Sequence, residues 1–147
     1  METIFSVTVF GQARPQGSKS ASVSKDGKAF TFESNKRTMP WRTDLKQVLG
    51  REWSNRERLD EAVVIHVDFY LSRPKSRKGV TWVEAMPDVD KLERAVFDAL
   101  QETALVNDSR ICYVQARKVY SDHPRVTITI GRPDESDLEG LDLDAEG

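Results

Sequence analysis

The sequence has few of the residues on which several classes of protein depend. Cys112 is the only cysteine among 147 residues, which excludes a disulfide within the chain and a cysteine-rich zinc site. No window approaches the roughly 20 apolar residues of a membrane-spanning helix. The first ten residues alternate apolar with polar side chains, which differs from the basic and then apolar pattern of a secretory signal. We therefore expect a cytoplasmic protein with one globular domain.

Basic side chains are scarce in the second half of the chain. Residues 1–80 carry 15 Lys and Arg against 9 Asp and Glu, a net charge of +6, whereas residues 81–147 carry 7 against 15, a net charge of −8. The overall charge of −2 does not exclude a polyanionic partner, because local patches determine such binding. The acidic end of the chain has too little apolar surface to offset its ordering entropy. We predict a folded domain over residues 1–132 and a disordered acidic tail over residues 133–147.

Hydrophobic periodicity predicts an α+β fold. Alternating apolar and polar side chains indicate four main strands, over residues 3–10, 61–71, 110–120 and 125–131. Apolar residues at helical spacing indicate two main helices, over about residues 38–58 and 91–103. The order of these elements predicts a mixed β-sheet of about four main strands with the two main helices on one face.

A segment with several glycines separates the first strand from the first helix. Its stretch "SVSKDGKAFTF" contains Asp26-Gly27, a dipeptide typical of a two-residue hairpin turn. Basic residues flank this turn on both sides. We therefore predict an N-terminal basic flap, built as a β-hairpin.

Two aspartates precede the second predicted helix and a third follows it, in "MPDVDKLERAVFDALQETALVNDSRI". On a helix, residues i and i+2 point about 200° apart, whereas on an extended segment they lie on the same side. Because Pro87 favours extended geometry before it, we expect Asp88 in an extended lead-in and Asp90 at or next to the N-cap. Their carboxylates can then converge near the helix N-terminus. The chain returns after the helix, and we expect it to bring Asp108 beside them.

Three carboxylates without a histidine or thiolate partner suit a hard divalent cation, Mg²⁺ or Mn²⁺. Such an ion can generate hydroxide, orient it in line and neutralise charge during phosphodiester hydrolysis. A purely structural explanation is also open. Asp90 and Glu93 have capping-box spacing, acids are favoured in a first helical turn, and Asp108 is typical of a turn.

The chain resembles the RusA family of Holliday junction resolvases across most of residues 3–130. The resemblance is carried by "GQARPQGSK", "FYLSRPKSRK", "PDVDKLERAVFDAL", "NDSRI", "KVY" and "RVTITI", in the family's order and spacing. It implies a Mg²⁺-dependent homodimer that cuts paired strands of a four-way DNA junction, with Mn²⁺ as a substitute ion. It also implies that the family's metal-binding carboxylates are Asp88, Asp90 and Asp108.

Three positions depart from the family's usual pattern. Lys91 and Asn107 stand where family members usually have Asn and Asp. Arg94 stands at a position where family members have a basic residue, commonly Lys. Its guanidinium does not readily release a proton, but it can stabilise negative charge on a phosphate. We assign that role to Arg94 or Lys118. A salt bridge from Arg94 to Asp98 at i+4 is the structural alternative.

Basic side chains in the flap and in the loop before the aspartates are candidates for binding DNA phosphates. We assign this role to Arg14, Lys19, Arg73, Lys75, Arg77 and Lys78. The run "RPKSRK" is favoured because Pro74 stiffens the loop and the loop leads toward the aspartates. Solvated charges without a specific partner are the alternative.

The sequence therefore predicts a homodimeric, Mg²⁺-dependent endodeoxyribonuclease that resolves Holliday junctions or other branched DNA in recombination and repair. A twofold dimer fits because two symmetric cuts require two symmetric sites. Two other functions remain open: a less specific metal-dependent nuclease that acts on flaps or forks, and a non-catalytic DNA-binding accessory protein with a decayed metal site. No residue pattern indicates a sequence preference, the number of ions or the role of the tail.

Overall fold

The computed structural model describes residues 1–15, 19–23, 29–33 and 38–144. Within them the regular elements are β1 (Glu2–Phe10), β2 (Lys19–Val23), β3 (Ala29–Glu33), α1 (Thr38–Trp53), β4 (Val63–Ser72), α2 (Val89–Thr103), β5 (Ile111–Ser121) and β6 (Arg125–Arg132). Short 3₁₀ turns occur at Lys75–Arg77, Asp108–Arg110 and Glu135–Leu138. No helix in the described ranges has the length and apolar character needed to cross a membrane.

Four strands form one mixed sheet in the order β1-β6-β4-β5. β6 is antiparallel to both β1 and β4, whereas β4 and β5 are parallel. A parallel pair needs a crossover connection, and the segment that contains α2 supplies it. The predicted α+β fold, with its mixed four-stranded sheet and two helices, is confirmed.

Both helices pack on one face of the sheet. Apolar residues spaced three and four apart form one stripe on each helix. The buried stripe comprises Trp41, Leu45, Leu49 and Trp53 on α1, and Leu92, Ala95, Val96, Ala99 and Leu100 on α2. The alternate residues of β4 that join this core are Val63, Ile65, Val67, Phe69 and Leu71. The side chains between them on β4 point to the opposite face.

The helix ends differ from the predicted ones by a few residues. α1 ends at Trp53, five residues before the predicted end, and Ser54 has a φ of 58°. This left-handed conformation stops a right-handed helix. The rings of Phe5 and Trp53 meet edge to face at 5.3 Å, which ties the end of α1 to β1. α2 begins at Val89, two residues earlier than predicted.

β2 and β3 pair in antiparallel register, with Ala21 opposite Thr31. The turn predicted at Asp26 and Gly27 lies outside the described residues. The N-terminal basic flap therefore stays a prediction.

Part of the acidic segment has local structure. Asp134 caps the turn at Glu135–Leu138, and Asp137 completes a capping box. The Met1 ammonium lies 2.7 Å from Asp134 Oδ2, and this hydrogen bond lowers the pKa of Asp134 to about 2. These contacts link the turn to the start of the chain, and the disorder predicted for residues 133–147 stays a prediction. The domain boundary placed before this segment stays a prediction.

Candidate functional site

Asp88 and Asp90 lie together at the N-terminal end of α2. Asp88 is the N-cap residue, with φ −68° and ψ 140°, and its side chain makes no capping hydrogen bond. Its backbone is extended, as expected and as is typical of an N-cap residue. Asp90 lies inside the first turn of the helix, two residues beyond the N-cap. Both side chains are exposed, at the end of the helix that carries partial positive charge.

Lys118 is hydrogen-bonded to the loop that precedes Asp88. Its Nζ donates hydrogen bonds to the carbonyl oxygens of Ala85 at 2.9 Å and Pro87 at 2.8 Å. Lys118 lies on β5 opposite Phe69 of β4, so its side chain points toward the face on which the helices pack. The edge strand of the sheet is thereby joined to the start of α2.

Asp108 lies at the other end of α2. Its backbone N–H donates to Gln101 Oε1 at 3.1 Å, and Gln101 is in the last turn of the helix. Eleven residues separate Asp90 from Gln101, which corresponds to about 17 Å along the helix axis. Within the ranges that the structure describes, no three His, Cys, Asp or Glu side chains of one chain are grouped so as to hold a metal ion.

The chain does return toward Asp88 after α2, but the residue that it brings there is Lys118 and not Asp108. Asp108 precedes β5, and it is β5 itself that runs back along the sheet to bring Lys118 beside Pro87. Within one chain Lys118 therefore contacts the lead-in to Asp88 and Asp90, whereas Asp108 lies at the other end of α2. Gln101, which orients Asp108, was not singled out from the sequence, because a seven-residue separation across a helix end has no fixed geometry.

Other charged groups surround the aspartate pair. Lys91 Nζ lies 3.9 Å from Asp88 Oδ2. Burial raises the pKa of the Glu93 carboxyl, and repulsion from Asp90 raises that pKa further. The carboxylates of Asp90 and Glu93 therefore repel each other. A cation bound here would relieve that repulsion.

Arg94 is exposed one turn after Asp90. Asp98, its alternative partner, instead forms an ion pair with Arg42, whose Nη2 lies 3.8 Å from Asp98 Oδ2. Arg94 itself forms no ion pair with any residue that the structure describes. Its guanidinium is therefore available on the same side of α2 as Asp90, because residues four apart share a helix face.

The predicted phosphate-binding residues divide into engaged and exposed groups. Arg73 donates to the carbonyl oxygen of Val80 and lies 3.8 Å from Asp122 Oδ1, so it holds its own loop together. The exposed group consists of Lys75, Arg77 and Lys78, on and beside a 3₁₀ turn. Arg14 is half-buried. The backbone of Lys19 belongs to β2, and its side chain lies outside the described part of the chain.

Comparisons with known proteins identify the family. A family model described as Endodeoxyribonuclease RusA matches residues 11–131, a range that includes Asp88, Asp90 and Asp108. A protein of Bacillus subtilis (strain 168), "Uncharacterized protein YqaN", is 34% identical over 58 residues, which are 40% of this chain and 41% of that protein. The matched part therefore spans less than half of that relative. Because the family model covers most of the sequence, the chain belongs to the RusA family of endodeoxyribonucleases.

Proposed function

We propose that the chain is a Mg²⁺-dependent endodeoxyribonuclease that resolves Holliday junctions or other branched DNA by phosphodiester hydrolysis. It acts as a homodimer in recombination and repair. The observation that carries the proposal is the exposed pair of carboxylates, Asp88 and Asp90, at the start of α2 in a chain of the RusA family. Family membership supports the reaction, and the carboxylates support the cofactor.

The donors at this end of α2 fit Mg²⁺ in their chemistry. Asp88 and Asp90 offer carboxylate oxygens, which hard cations prefer, and Mg²⁺ is commonly held by one or two carboxylates together with substrate phosphates. The Asp88 side chain is not used to cap the helix. When bound, Mg²⁺ would polarise the phosphate and provide a nucleophile at neutral pH. Mn²⁺, which accepts the same donors, would substitute.

In a dimer, the third carboxylate of each site can come from the second copy of the chain. Asp108 lies at the opposite end of α2 from Asp88 and Asp90. If two α2 helices packed antiparallel about a twofold axis, Asp108 of one subunit would approach the aspartate pair of the other. We therefore assign Asp108 to the partner's site. Such a dimer holds two equivalent sites, which two symmetric cuts require.

The basic residues near the pair take different roles. Arg94 has no competing ion pair among the described residues, and we assign it to stabilise charge on the reacting phosphate. Lys118 is engaged by two carbonyl groups, which favours a positioning role for it. We assign Lys75, Arg77 and Lys78 to bind phosphates along the DNA, together with Arg14 and Lys19 of the flap.

Cleavage of three synthetic DNA substrates tests the proposal: a four-way junction, a fork and a linear duplex of the same arm sequence, each with and without Mg²⁺. We expect cleavage of the junction alone or well above the other two, and only with the ion. Equal cleavage rates on all three substrates would contradict junction resolution and would indicate a less specific nuclease.

One observation favours a second function, a non-catalytic DNA-binding accessory protein. Lys91 Nζ lies 3.9 Å from Asp88 Oδ2, so a protein cation stands where the metal would bind. Isothermal calorimetry with Mg²⁺ separates the two functions. Heat of binding that disappears in Asp88→Asn supports the nuclease, whereas no binding, or binding unchanged by that substitution, supports the accessory protein.

A further inference from the structure

The face of the sheet opposite the helices carries a row of aromatic and cationic side chains. In the strand register Phe10 lies opposite Arg125, Arg125 opposite Tyr70, and Tyr70 opposite Val119. Trp82 extends the row through a bridge to Val119. Because neighbouring strands lie about 4.8 Å apart, these five positions span about 19 Å.

A slot opens at the β5 end of this row. Trp82 and Tyr70 stand on either side of Val119, and a cavity of about 200 Å³ lies among them, Asp68 and Arg117. Trp82 is 59% exposed, although a side chain of this size is usually well buried or part of an interface. The cavity is smaller than the roughly 300–1,000 Å³ of pockets for drug-sized ligands. It therefore suits a single flat ring system.

Arg117 and Asp68 place hydrogen-bond donors and acceptors side by side in the slot. Arg117 Nε and Nη2 donate to the two carboxylate oxygens of Asp68 at 2.7 and 2.9 Å, and hydrogen bonding to Asp68 raises the pKa of Arg117. In this fork Arg117 donates and Asp68 accepts, which leaves Nη1 of Arg117 as a further donor and lone pairs of Asp68 as further acceptors. A nucleobase edge presents the matching alternation of acceptors and donors.

The slot itself is neutral, and a positive charge beside it favours an anionic group next to the occupant. Asp68 is the one carboxylate among the described residues that line the slot, and Arg117 balances it. Arg125 adds a further positive charge: its guanidinium lies 3.8 Å from the centre of the Tyr70 ring. A hydrogen bond of 2.9 Å to the carbonyl oxygen of His123 holds it there. Stacking rings beside cations are the combination with which proteins bind single-stranded nucleic acid.

We propose that the slot binds an unpaired base of a DNA strand, with the indole of Trp82 stacked on the base and Arg125 near an adjacent phosphate. Trp82 lies on the same loop as Asp88, and Val119 follows Lys118 on β5 but faces the other side of the sheet. A strand that crosses the β5 edge can therefore place a base in the slot and a neighbouring phosphate toward Asp88.

This inference deepens the proposed nuclease function and rests on it for the role of the slot in catalysis. Bases at a branch point are less firmly paired than those within a duplex, and displacing them costs the least free energy. A slot for one unpaired base would thus favour branched substrates over linear duplex. The binding of single strands itself requires neither the metal nor cleavage.

Binding of fluorescein-labelled 12-nucleotide oligo(dT), and of an abasic strand of equal length, tests the slot when measured by anisotropy without Mg²⁺. We expect wild type to bind oligo(dT) more tightly than the abasic strand. Trp82→Leu should weaken oligo(dT) binding about five- to a hundredfold and leave abasic binding unchanged. Trp82→Phe, which keeps a ring, should retain most of the affinity and serves as the matched control.

Tryptophan emission gives a second readout that does not depend on a variant. Trp41 and Trp53 are only 4% and 3% exposed, so saturable quenching by oligo(dT) reports on Trp82. Equal affinity for the two strands, or full affinity in Trp82→Leu with an unchanged unfolding midpoint, would overturn the proposal. So would a lower sedimentation coefficient of Trp82→Leu without DNA, because it would show that a second copy of the chain covers this face.

The failure of the slot and the failure of the nuclease function are distinguishable. Asp90→Asn should keep the preference for oligo(dT) while losing junction cleavage. If wild type prefers oligo(dT) but never cuts a junction, only the nuclease proposal fails. If Trp82→Leu binds oligo(dT) and cuts junctions as wild type does, only the slot fails.

Discussion

The ammonium of Lys118 donates a 2.8 Å hydrogen bond to the carbonyl oxygen of Pro87, the residue before Asp88. A second bond, to Ala85, lies beside it. Two elements far apart in the sequence, the edge strand β5 and the lead-in to α2, are thus joined next to the proposed metal ligand. The orientation of Asp88 therefore depends on a residue of the sheet, and outer groups of this kind tune metal affinity.

Lys118→Met should lower junction cleavage about 10- to 100-fold and raise the Mg²⁺ concentration needed for half-maximal rate. The substitution removes the ammonium and keeps an apolar stem of similar length. A Mg²⁺ titration of the cleavage rate measures both effects. Lys46→Met is the matched control, because Lys46 only pairs with Glu102 on the surface at 2.9 Å. If Lys118→Met needs the same Mg²⁺ concentration as wild type for half-maximal cleavage, Lys118 does not position the metal ligand.

Asp90→Asn should reduce cleavage at least about a hundredfold while junction binding is kept, because the loss falls on stabilisation of charge in the transition state. Rapid-quench cleavage and gel-shift binding on the same junction separate the two quantities. Asp44→Asn, at an exposed acid of α1, is the control and should cut at the wild-type rate. Retained activity in Asp90→Asn would refute its assignment as a metal ligand.

Mixing two inactive variants, Asp88→Asn and Asp108→Asn, tests whether two subunits share each site. In a shared site, a mixed dimer has one site with both substitutions and one site with neither. After exchange of equal amounts about half of the dimers are mixed, and each has one intact site of two, so we expect about a quarter of the wild-type single-strand nicking rate. The measurement is nicking of a labelled junction after the two variants are exchanged.

If each chain builds its own site, every site in the mixed dimer carries one substitution. No activity above that of the separate variants would then appear, and the assignment of Asp108 to the partner would be wrong. Asp88→Asn mixed with Asp90→Asn is the control, because both of these belong to one end of α2 and should not restore nicking.

Replacing Arg77 and Lys78 together by alanine should weaken junction binding and flatten its dependence on salt. Each phosphate contact that is lost lowers the slope of log affinity against log salt by about 1. The double variant Lys46→Ala and Arg51→Ala removes the same charge from α1 and controls for net charge alone. Equal slopes for wild type and the Arg77 and Lys78 variant would exclude this loop from the phosphate contacts.

The sequence was sufficient to predict several local features correctly. The alternation on β4 identified its buried face, and the spacing on α2 identified its apolar stripe. The extended backbone at Asp88, expected for the lead-in to the helix, is that of an N-cap residue. The predicted end of α1 was too late in the sequence. Ser54 adopts a left-handed conformation that stops the helix, and serine is not the glycine or asparagine that usually marks such an end.

Other features could not be read from local patterns. Trp82 has no periodic neighbours, and only the bridge to β5 shows that it stands beside Tyr70 across Val119. The position of Asp108 depends on where α2 ends relative to the start of β5. A three-residue turn there keeps Asp108 at the far end of the helix.

The sequence by itself determined the strands, the helices and the side each residue faces, because periods of 2 and 3.6 residues are properties of the local backbone. The tertiary structure decided which distant groups meet. Lys118 reaches Pro87, and Asp108 stays a helix length from Asp90, because β5 runs parallel to β4 in one particular register. That register results from packing between elements that lie far apart in the chain, which no short stretch of residues specifies.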